Sequence, residues 1–268
     1  MMSLVAWALA GCAGTNREDI LNRATVKGFQ PQIISTASFD LYSLERVRAR
    51  GGDVHIYIEG DGFAWVSRTR PSRDPTPKNP VALDLATRDM AENVVYLARP
   101  CQYTMTRLCD QRYWTSHRYA PDILSAFIEA VDHIKAQHEF DKIHFIGFSG
   151  GANIAALIAA KRDDVASLRT VAGNLNHALL HEIHGVSQIP QSLNAVNFAK
   201  DISGIPQHHF IGSDDKIIGA EIVRSFINAS GQTNCLSITK VPGATHQSGW
   251  REHWPEIMAQ PLTCGSDI

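Results

Sequence analysis

Short apolar runs alternate along the chain with segments whose apolar residues recur at helical spacing. The runs are rich in β-branched and aromatic residues, which predicts strands of a sheet covered on both faces. Strands that alternate with helices indicate an α/β fold with a doubly wound, mostly parallel sheet. The predicted strands are 54–59, 93–97, 143–148, 168–172, 208–212 and 236–241. The predicted helices are 81–90, 121–138, 151–161 and 221–229.

Extended strands at the edge of the sheet are predicted over 33–46. Two other stretches interrupt the alternation of strands and helices. Residues 64–79 are rich in proline, arginine and serine, and residues 174–206 are mostly irregular in pattern. Both follow predicted strands, on the side where open α/β sheets place their binding crevice. They are either substrate-contacting or lid loops, or solvated connections. We expect one domain over 33–268, preceded by a linker over 12–32, because about 250 residues suit a single α/β domain.

Composition argues against several classes of protein. Lys and Arg total 25 against 27 Asp and Glu, with a net charge of −2 and no basic stripe. The chain therefore lacks the counterion release that drives nucleic-acid binding, and we expect no nucleic-acid partner.

His181 and His184 lack the i, i+4 spacing that would place two metal ligands on one helix face. We expect no metal and no cofactor.

A candidate nucleophile lies at the end of the predicted strand 143–148. Gly147-Phe148-Ser149-Gly150-Gly151 matches the pattern G-x-S-x-G, and an alanine-rich predicted helix follows. A strand-to-helix setting is what a nucleophile elbow requires. The glycines permit the sharp turn, and the N–H groups that begin the helix point toward the place where an oxyanion would develop.

A serine nucleophile needs a base that takes its proton, and the base needs a partner that fixes its tautomer. Asp214 and Asp215 follow the predicted strand 208–212, and His246 follows the next strand along the chain. The order of serine, acid and histidine is that of the α/β-hydrolases, which the chain resembles from about residue 50 to residue 250. This resemblance implies a triad of Ser149, Asp215 and His246.

Alternatives remain for the last two members of this triad. We prefer Asp215 to Asp214 because Gly212, Asp215 and Ile218 fit the spacing of the family, so Asp214 becomes a turn or capping carboxylate. For His246, the alternative is a histidine in a surface loop, since the chain has 12 histidines.

The resemblance also implies an oxyanion hole with a second donor from the loop after the strand 54–59. Residues 58–63 (Ile-Glu-Gly-Asp-Gly-Phe) resemble the H-G-x or H-G-G-G segment of the family, although a glutamate replaces the histidine. We assign the N–H of Asp61, with Gly62 as its neighbour, alongside the N–H of Gly150; a plain tight turn is the alternative. Because a carboxylate disfavours a nearby oxyanion, the Asp61 side chain should turn away or pair with an arginine such as Arg68 or Arg70.

The beginning of the chain resembles a bacterial lipoprotein signal. Leu9-Ala10-Gly11-Cys12 resembles a lipobox and closes the short apolar run 4–10. This implies a signal peptide over 1–11, a lipidated Cys12 that contacts the membrane, and a place in the cell envelope, at the outer membrane in a Gram-negative host. A periplasmic or secreted protein is one alternative. A buried N-terminal segment is another, since no Lys or Arg precedes the run.

The four other cysteines, an even number, indicate two disulfides in an oxidising compartment. Three connectivities exist for four cysteines, and proximity along the chain favours Cys101 with Cys109 and Cys235 with Cys264. Four reduced cysteines in a cytosolic enzyme are the alternative.

A second resemblance concerns residues 97–103, Cys109, 113–116 and 192–194, which are similar to a bacterial group of lipoprotein-like α/β-hydrolases. It implies no particular substrate. Three aromatic residues are candidates for an apolar acyl pocket, with core packing as the alternative: Trp65, Tyr103 and Trp114.

We therefore expect a serine hydrolase that cleaves small-molecule or lipid carboxylic esters through an acyl-enzyme. A lipase, thioesterase or peptidase of the same fold is the alternative within this class, because triad chemistry does not distinguish these substrates. An envelope binding protein that keeps the fold without turnover is the alternative from another class.

Overall fold

Ten strands occur in the computed structural model, which describes residues 16–260 and 262–265. Eight of them form one sheet, and two form a separate small hairpin. In chain order the strands are β1 (Gln30–Ser35), β2 (Asp40–Val47), β3 (Val54–Ile58), β4 (Trp65–Ser67), β5 (Arg70–Pro71), β6 (Asn93–Leu97), β7 (Ile143–Phe148), β8 (Val165–Val171), β9 (Gln207–Gly212) and β10 (Leu236–Val241).

The order of strands across the large sheet is β1-β2-β6-β3-β7-β8-β9-β10. β2 is antiparallel to both of its neighbours, and the remaining neighbours are parallel. The predicted doubly wound, mostly parallel sheet is therefore confirmed. Ile58 at the end of β3 pairs with Gly147 near the end of β7, so the loops that follow these two strands leave the sheet side by side.

Helices cover both faces of this sheet. They are α1 (Arg17–Val26), α2 (Val81–Ala86), α3 (Pro121–His138), α4 (Gly150–Ala159), α5 (His177–Ile183), α6 (Ala220–Ser230) and α7 (Trp254–Ala259), with 3₁₀ turns at Gln111–Trp114 and Ala195–Phe198. Buried side chains of α3, α4 and α6 form one apolar cluster, and those of α1, α2 and α7 form a second. β3 contributes Ile56 and Ile58 to the first cluster and Tyr57 to the second, as alternation along a strand requires.

The N-terminal segment 12–32 was expected to be a linker, but from residue 16 onward the structure shows a capped helix, α1. α1 begins after Asn16, whose side chain accepts the N–H of Asp19 at 3.0 Å and caps the helix. Ile20 and Ala24, one turn apart, are buried in the second cluster. The sequence did not predict this helix because α1 is mostly polar and has only two buried side chains. The predicted signal peptide (1–11) and Cys12 lie outside the described residues.

Two disulfides tie loops to the sheet: Cys101 is bonded to Cys109, and Cys235 to Cys264. These are the pairs that proximity along the chain favours. The first closes a loop after β6 that contains Gln102. Because the side chain of Gln102 donates to the carbonyl oxygen of Gly60 at 3.0 Å, this loop supports the segment that follows β3.

Within residues 16–260 and 262–265, no helix is both long enough and apolar enough to cross a membrane. The same residues contain no group of three or more His, Cys, Asp or Glu side chains that could hold a metal ion. His181 and His184 have separate partners, since His181 contacts Arg118 and His184 contacts the carbonyl oxygen of Ile217.

Candidate active site

Ser149 lies at the sharp turn between β7 and α4. Its φ of 50° and ψ of −119° fall where side-chain-bearing residues are rare, so the turn is strained. Close packing explains the flanking glycines. A Cβ at Gly147 would lie 2.5 Å from the Cα of Ala152, and one at Gly151 would lie 2.2 Å from the carbonyl oxygen of Ile58. The turn thus places Ser149 at the carboxyl end of the central strands.

The structure brings Ser149, His246 and Asp215 together in one hydrogen-bonded chain. His246 Nε2 is 3.0 Å from Ser149 Oγ, and His246 Nδ1 is 2.9 Å from Asp215 Oδ2. Asp215 Oδ1 accepts the N–H groups of Ile217 and Ile218 at 2.8 and 3.0 Å. Since a carboxylate accepts only, Nδ1 carries the hydrogen, and Nε2 is left to accept the Ser149 hydroxyl proton.

The Asp215 carboxylate is held in its ionised form although its side chain is 0% exposed. Burial alone would raise its pKa, but the hydrogen bond from His246, with those from the N–H groups of Ile218 and Ile217, brings the pKa below its ordinary value. Asp214 is exposed and accepts the hydroxyl of Ser213 at 3.0 Å. Asp215 rather than Asp214 therefore contacts the histidine.

Two backbone N–H groups are available beside the serine. The loop after β3 touches it closely, since a Cβ at Gly60 would lie 3.3 Å from the Cβ of Ser149. Among the described residues, the N–H groups of Asp61 and Gly150 have no protein acceptor. Gly150 begins α4, where N–H groups lack partners within the helix. Gly62 has a φ of 68° and lies against Pro75, so the turn itself requires that glycine.

The side chain of Asp61 is paired with arginines, as expected. The partners are Arg99 and Arg118, however, and the expected Arg68 and Arg70 are wrong. Asp61 Oδ1 accepts Arg99 Nη1 at 3.0 Å, Oδ2 accepts Arg118 Nη1 at 3.1 Å, and the hydroxyl of Tyr119 donates to Oδ2 at 3.1 Å. Arg68 and Arg70 are exposed in or beside the β4–β5 hairpin. Proximity along the chain was misleading because the loop after β6 and the segment before α3 bring the actual partners.

A cavity of about 440 Å³ opens above Ser149, a volume suited to a small ligand. Of the three aromatic residues predicted for an acyl pocket, Trp65 lines this cavity. Tyr103 instead stacks on Tyr42 with ring centroids 4.8 Å apart, and the buried Trp114 donates its Nε1–H to the carbonyl oxygen of Ser72. Tyr103 and Trp114 therefore pack away from the serine.

Glu59, noted in the sequence as a departure from the usual histidine, is a buried carboxyl group beneath the same loop. Burial raises its pKa to about 7, although its Oε1 accepts the N–H groups of Gly60 and Ala82 at 2.9 and 3.4 Å. The other oxygen, Oε2, has no hydrogen-bond partner among the described residues. Glu59 is thus protonated in a large fraction of molecules near neutral pH.

Replacing Glu59 with Gln should remove a pH-dependent part of the stability. The pKa of Glu59 is raised from 4.5 to about 7 on folding, so its stabilising contribution is complete below pH 4.5 and is lost as the pH rises through 7. Urea unfolding measures this effect. From pH 5 to pH 8, the free energy of unfolding of the wild type should fall by on the order of 3 kcal/mol more than that of Glu59→Gln. A stability difference that is the same at both pH values would contradict this account.

The sheet topology and the strained serine between β7 and α4 define an α/β-hydrolase fold. The chain belongs to the serine hydrolase (FSH1) family, whose model matches residues 102–244. This span includes Ser149 and Asp215 and ends just before His246. The protein is thus a hydrolase of this fold. No curated protein sequence matched the chain.

Solved structures share the fold at low sequence identity. An esterase of Pyrococcus furiosus, Pf2001, is 12% identical with a TM-score of 0.62, and the match covers 88% of this chain and 90% of that one. Est1E from Butyrivibrio proteoclasticus is 15% identical with a TM-score of 0.58, covering 85% and 95%. XC6422 from Xanthomonas campestris, a serine hydrolase without a lid, is 15% identical with a TM-score of 0.55, covering 87% and 97%. These likenesses concern the fold alone.

Proposed function

We propose that this protein cleaves carboxylic esters through an acyl-enzyme on Ser149. The observation that carries the proposal is the hydrogen-bonded chain from Ser149 through His246 to Asp215, at 3.0 and 2.9 Å. These three side chains lie beside two N–H groups that have no acceptor within residues 16–260 and 262–265, and they face a cavity of ligand size. Nucleophile, base, orienting acid and anion donors are the four parts that acyl transfer by a serine requires.

The reaction proceeds in two halves. Ser149 Oγ attacks the ester carbonyl carbon while its proton passes to His246 Nε2, and the N–H groups of Gly150 and Asp61 stabilise the oxyanion. Asp215 stabilises the imidazolium, which then gives its proton to the departing alcohol oxygen. Water next attacks the acyl-enzyme with His246 again as the base, and the carboxylic acid leaves as Ser149 recovers its proton.

Fluorophosphonate labelling combined with a substrate panel tests this proposal. The panel contains 4-nitrophenyl esters of increasing acyl length, with a thioester and an anilide of one matched acyl group. We expect stoichiometric labelling and faster hydrolysis of the ester than of the anilide. Faster cleavage of the anilide or of the thioester would favour a peptidase or a thioesterase. A folded protein with neither labelling nor turnover would favour a binding protein of the same fold.

For its location we propose the bacterial envelope, with a lipid on Cys12. Two disulfides support a compartment more oxidising than the cytosol. The lipobox-like sequence before Cys12 supports lipidation, and two or more acyl chains give stable anchoring where one chain does not. In cells fed an alkyne fatty acid, the wild type expressed from its native start should be labelled and Cys12→Ala should not. An unlabelled wild type would contradict the proposal.

A further inference from the structure

Arg118 stands between the cavity above Ser149 and a second cavity of about 490 Å³. Arg118 and Trp65 line both cavities, so these two side chains form the boundary that the cavities share. The second cavity extends along α5 and the segment after it, where its lining is partly apolar: Leu180, Val186 and Ile189. A ligand that extends from Ser149 toward the second cavity would lie against Arg118 and Trp65.

The ion cluster around Asp61 has more positive than negative charge. Two guanidinium groups, those of Arg99 and Arg118, contact the single carboxylate of Asp61. Their side chains are only 5% and 14% exposed, so water compensates little of the excess charge. A buried charge without a full counterion is unfavourable. This arrangement therefore favours an anionic ligand.

Neighbouring titratable groups leave that excess charge in place. His181 Nε2 accepts from Arg118 Nη2 at 2.8 Å while its Nδ1–H donates to the carbonyl oxygen of Ser187, so this imidazole is neutral. Burial and the charge of Arg118 accordingly lower the pKa of His181. Glu59 hydrogen-bonds to backbone N–H groups and not to either arginine. The other ionisable side chains that line the two cavities are basic: Arg68, Lys78, His184 and His246.

Arg118 also has hydrogen-bond donors that no described residue accepts. A guanidinium group has five N–H bonds, and Arg118 makes hydrogen bonds to Asp61 and His181 through its two Nη atoms. Its planar fork matches a carboxylate. Nε is buried and has no hydrogen-bond partner among the described residues, so the donors left for a ligand are the second N–H bonds of the two Nη atoms. Asp61 and His181 fix their orientation.

We propose that the ester substrate itself bears a carboxylate, which Arg118 binds while the apolar part of the substrate lies along the second cavity. This inference rests on the proposed esterase function and names its substrate class. Arg118 is then the residue that distinguishes anionic from neutral esters.

Two pairs of esters test the proposal. The first pair is the 4-nitrophenyl monoester of glutaric acid and 4-nitrophenyl hexanoate, which place a carboxylate or a methyl end on the acyl side. The second pair, 3-acetoxybenzoate and 3-methylphenyl acetate, makes the same comparison on the alcohol side. We expect kcat/KM of the wild type to favour the anionic member of at least one pair by about 10- to 100-fold.

Variants separate recognition of the carboxylate from support of the Asp61 loop. Arg118→Gln should abolish the preference, and Arg118→Lys should keep part of it because the charge remains without the fork. Arg70→Gln is the control, since Arg70 is exposed and lines neither cavity. No preference in the wild type, or an equal loss for both members of each pair in Arg118→Gln, would overturn the proposal.

Binding of free glutarate by calorimetry keeps this test independent of turnover. We expect Arg118→Gln to bind glutarate at least tenfold more weakly than the wild type does. Arg118→Lys should have an affinity between those of the wild type and Arg118→Gln. Absence of ester hydrolysis with intact, Arg118-dependent binding would reject the esterase function and retain the anion site. Undetectable binding to the wild type, or equal binding by the wild type and Arg118→Gln, would reject the anion site.

Discussion

Replacing Ser149 with alanine is expected to lower kcat for ester hydrolysis by about 10⁶-fold, the scale seen when a triad nucleophile is removed. Ser149 Oγ is the atom that His246 Nε2 contacts at 3.0 Å, and alanine leaves the base nothing to deprotonate. The measurement is the steady-state release of 4-nitrophenol. The fold should be unchanged by circular dichroism, because the lost hydroxyl makes one hydrogen bond within the part of the chain that the structure describes.

A matched control for this variant is Ser237→Ala. Ser237 is an exposed serine on β10 whose hydroxyl donates to the carbonyl oxygen of Gln207, and its loss should leave kcat unchanged. Retention of most of the activity in Ser149→Ala would move the nucleophile elsewhere.

Asp215→Asn is expected to lower kcat by about 10⁴-fold. An amide that donates to Nδ1 stabilises the tautomer with the hydrogen on Nε2, which cannot accept the proton of Ser149. The amide also lacks the charge that stabilises the imidazolium. Kinetics with one 4-nitrophenyl ester measures the loss.

Asp214→Asn provides the comparison for the acid, since it makes the same chemical change one residue away. Asp214 is exposed and its carboxylate contacts Ser213 rather than His246, so we expect kcat to change by less than about threefold. The reverse ranking of these two variants would assign the acid to Asp214.

The elements of the central sheet were predictable because buried parallel strands are continuous apolar runs. β6, β7, β10 and α3 have the bounds that the sequence predicts. α1 was missed because its few buried positions stand in a polar sequence, and the β4–β5 hairpin was missed because its strands have only three and two residues. Short elements of this kind depend on tertiary contacts more than on local pattern.

The candidate site was predictable where its residues follow strands. Ser149, Asp215 and His246 come directly after or soon after β7, β9 and β10, and the carboxyl ends of parallel strands gather at one edge of a sheet. Arg99 and Arg118 could not be assigned to Asp61 in this way. They approach it across 38 and 57 residues of chain, and their pairing depends on the path of two loops.

Intact-mass spectrometry of enzyme quenched in acid during turnover tests the acyl-enzyme most directly. A 4-nitrophenyl ester in excess should add the mass of its acyl group to the wild type, on the peptide that contains Ser149, and should add nothing to Ser149→Ala. Turnover by the wild type without an acyl adduct, or the same adduct in Ser149→Ala, would contradict the proposed mechanism.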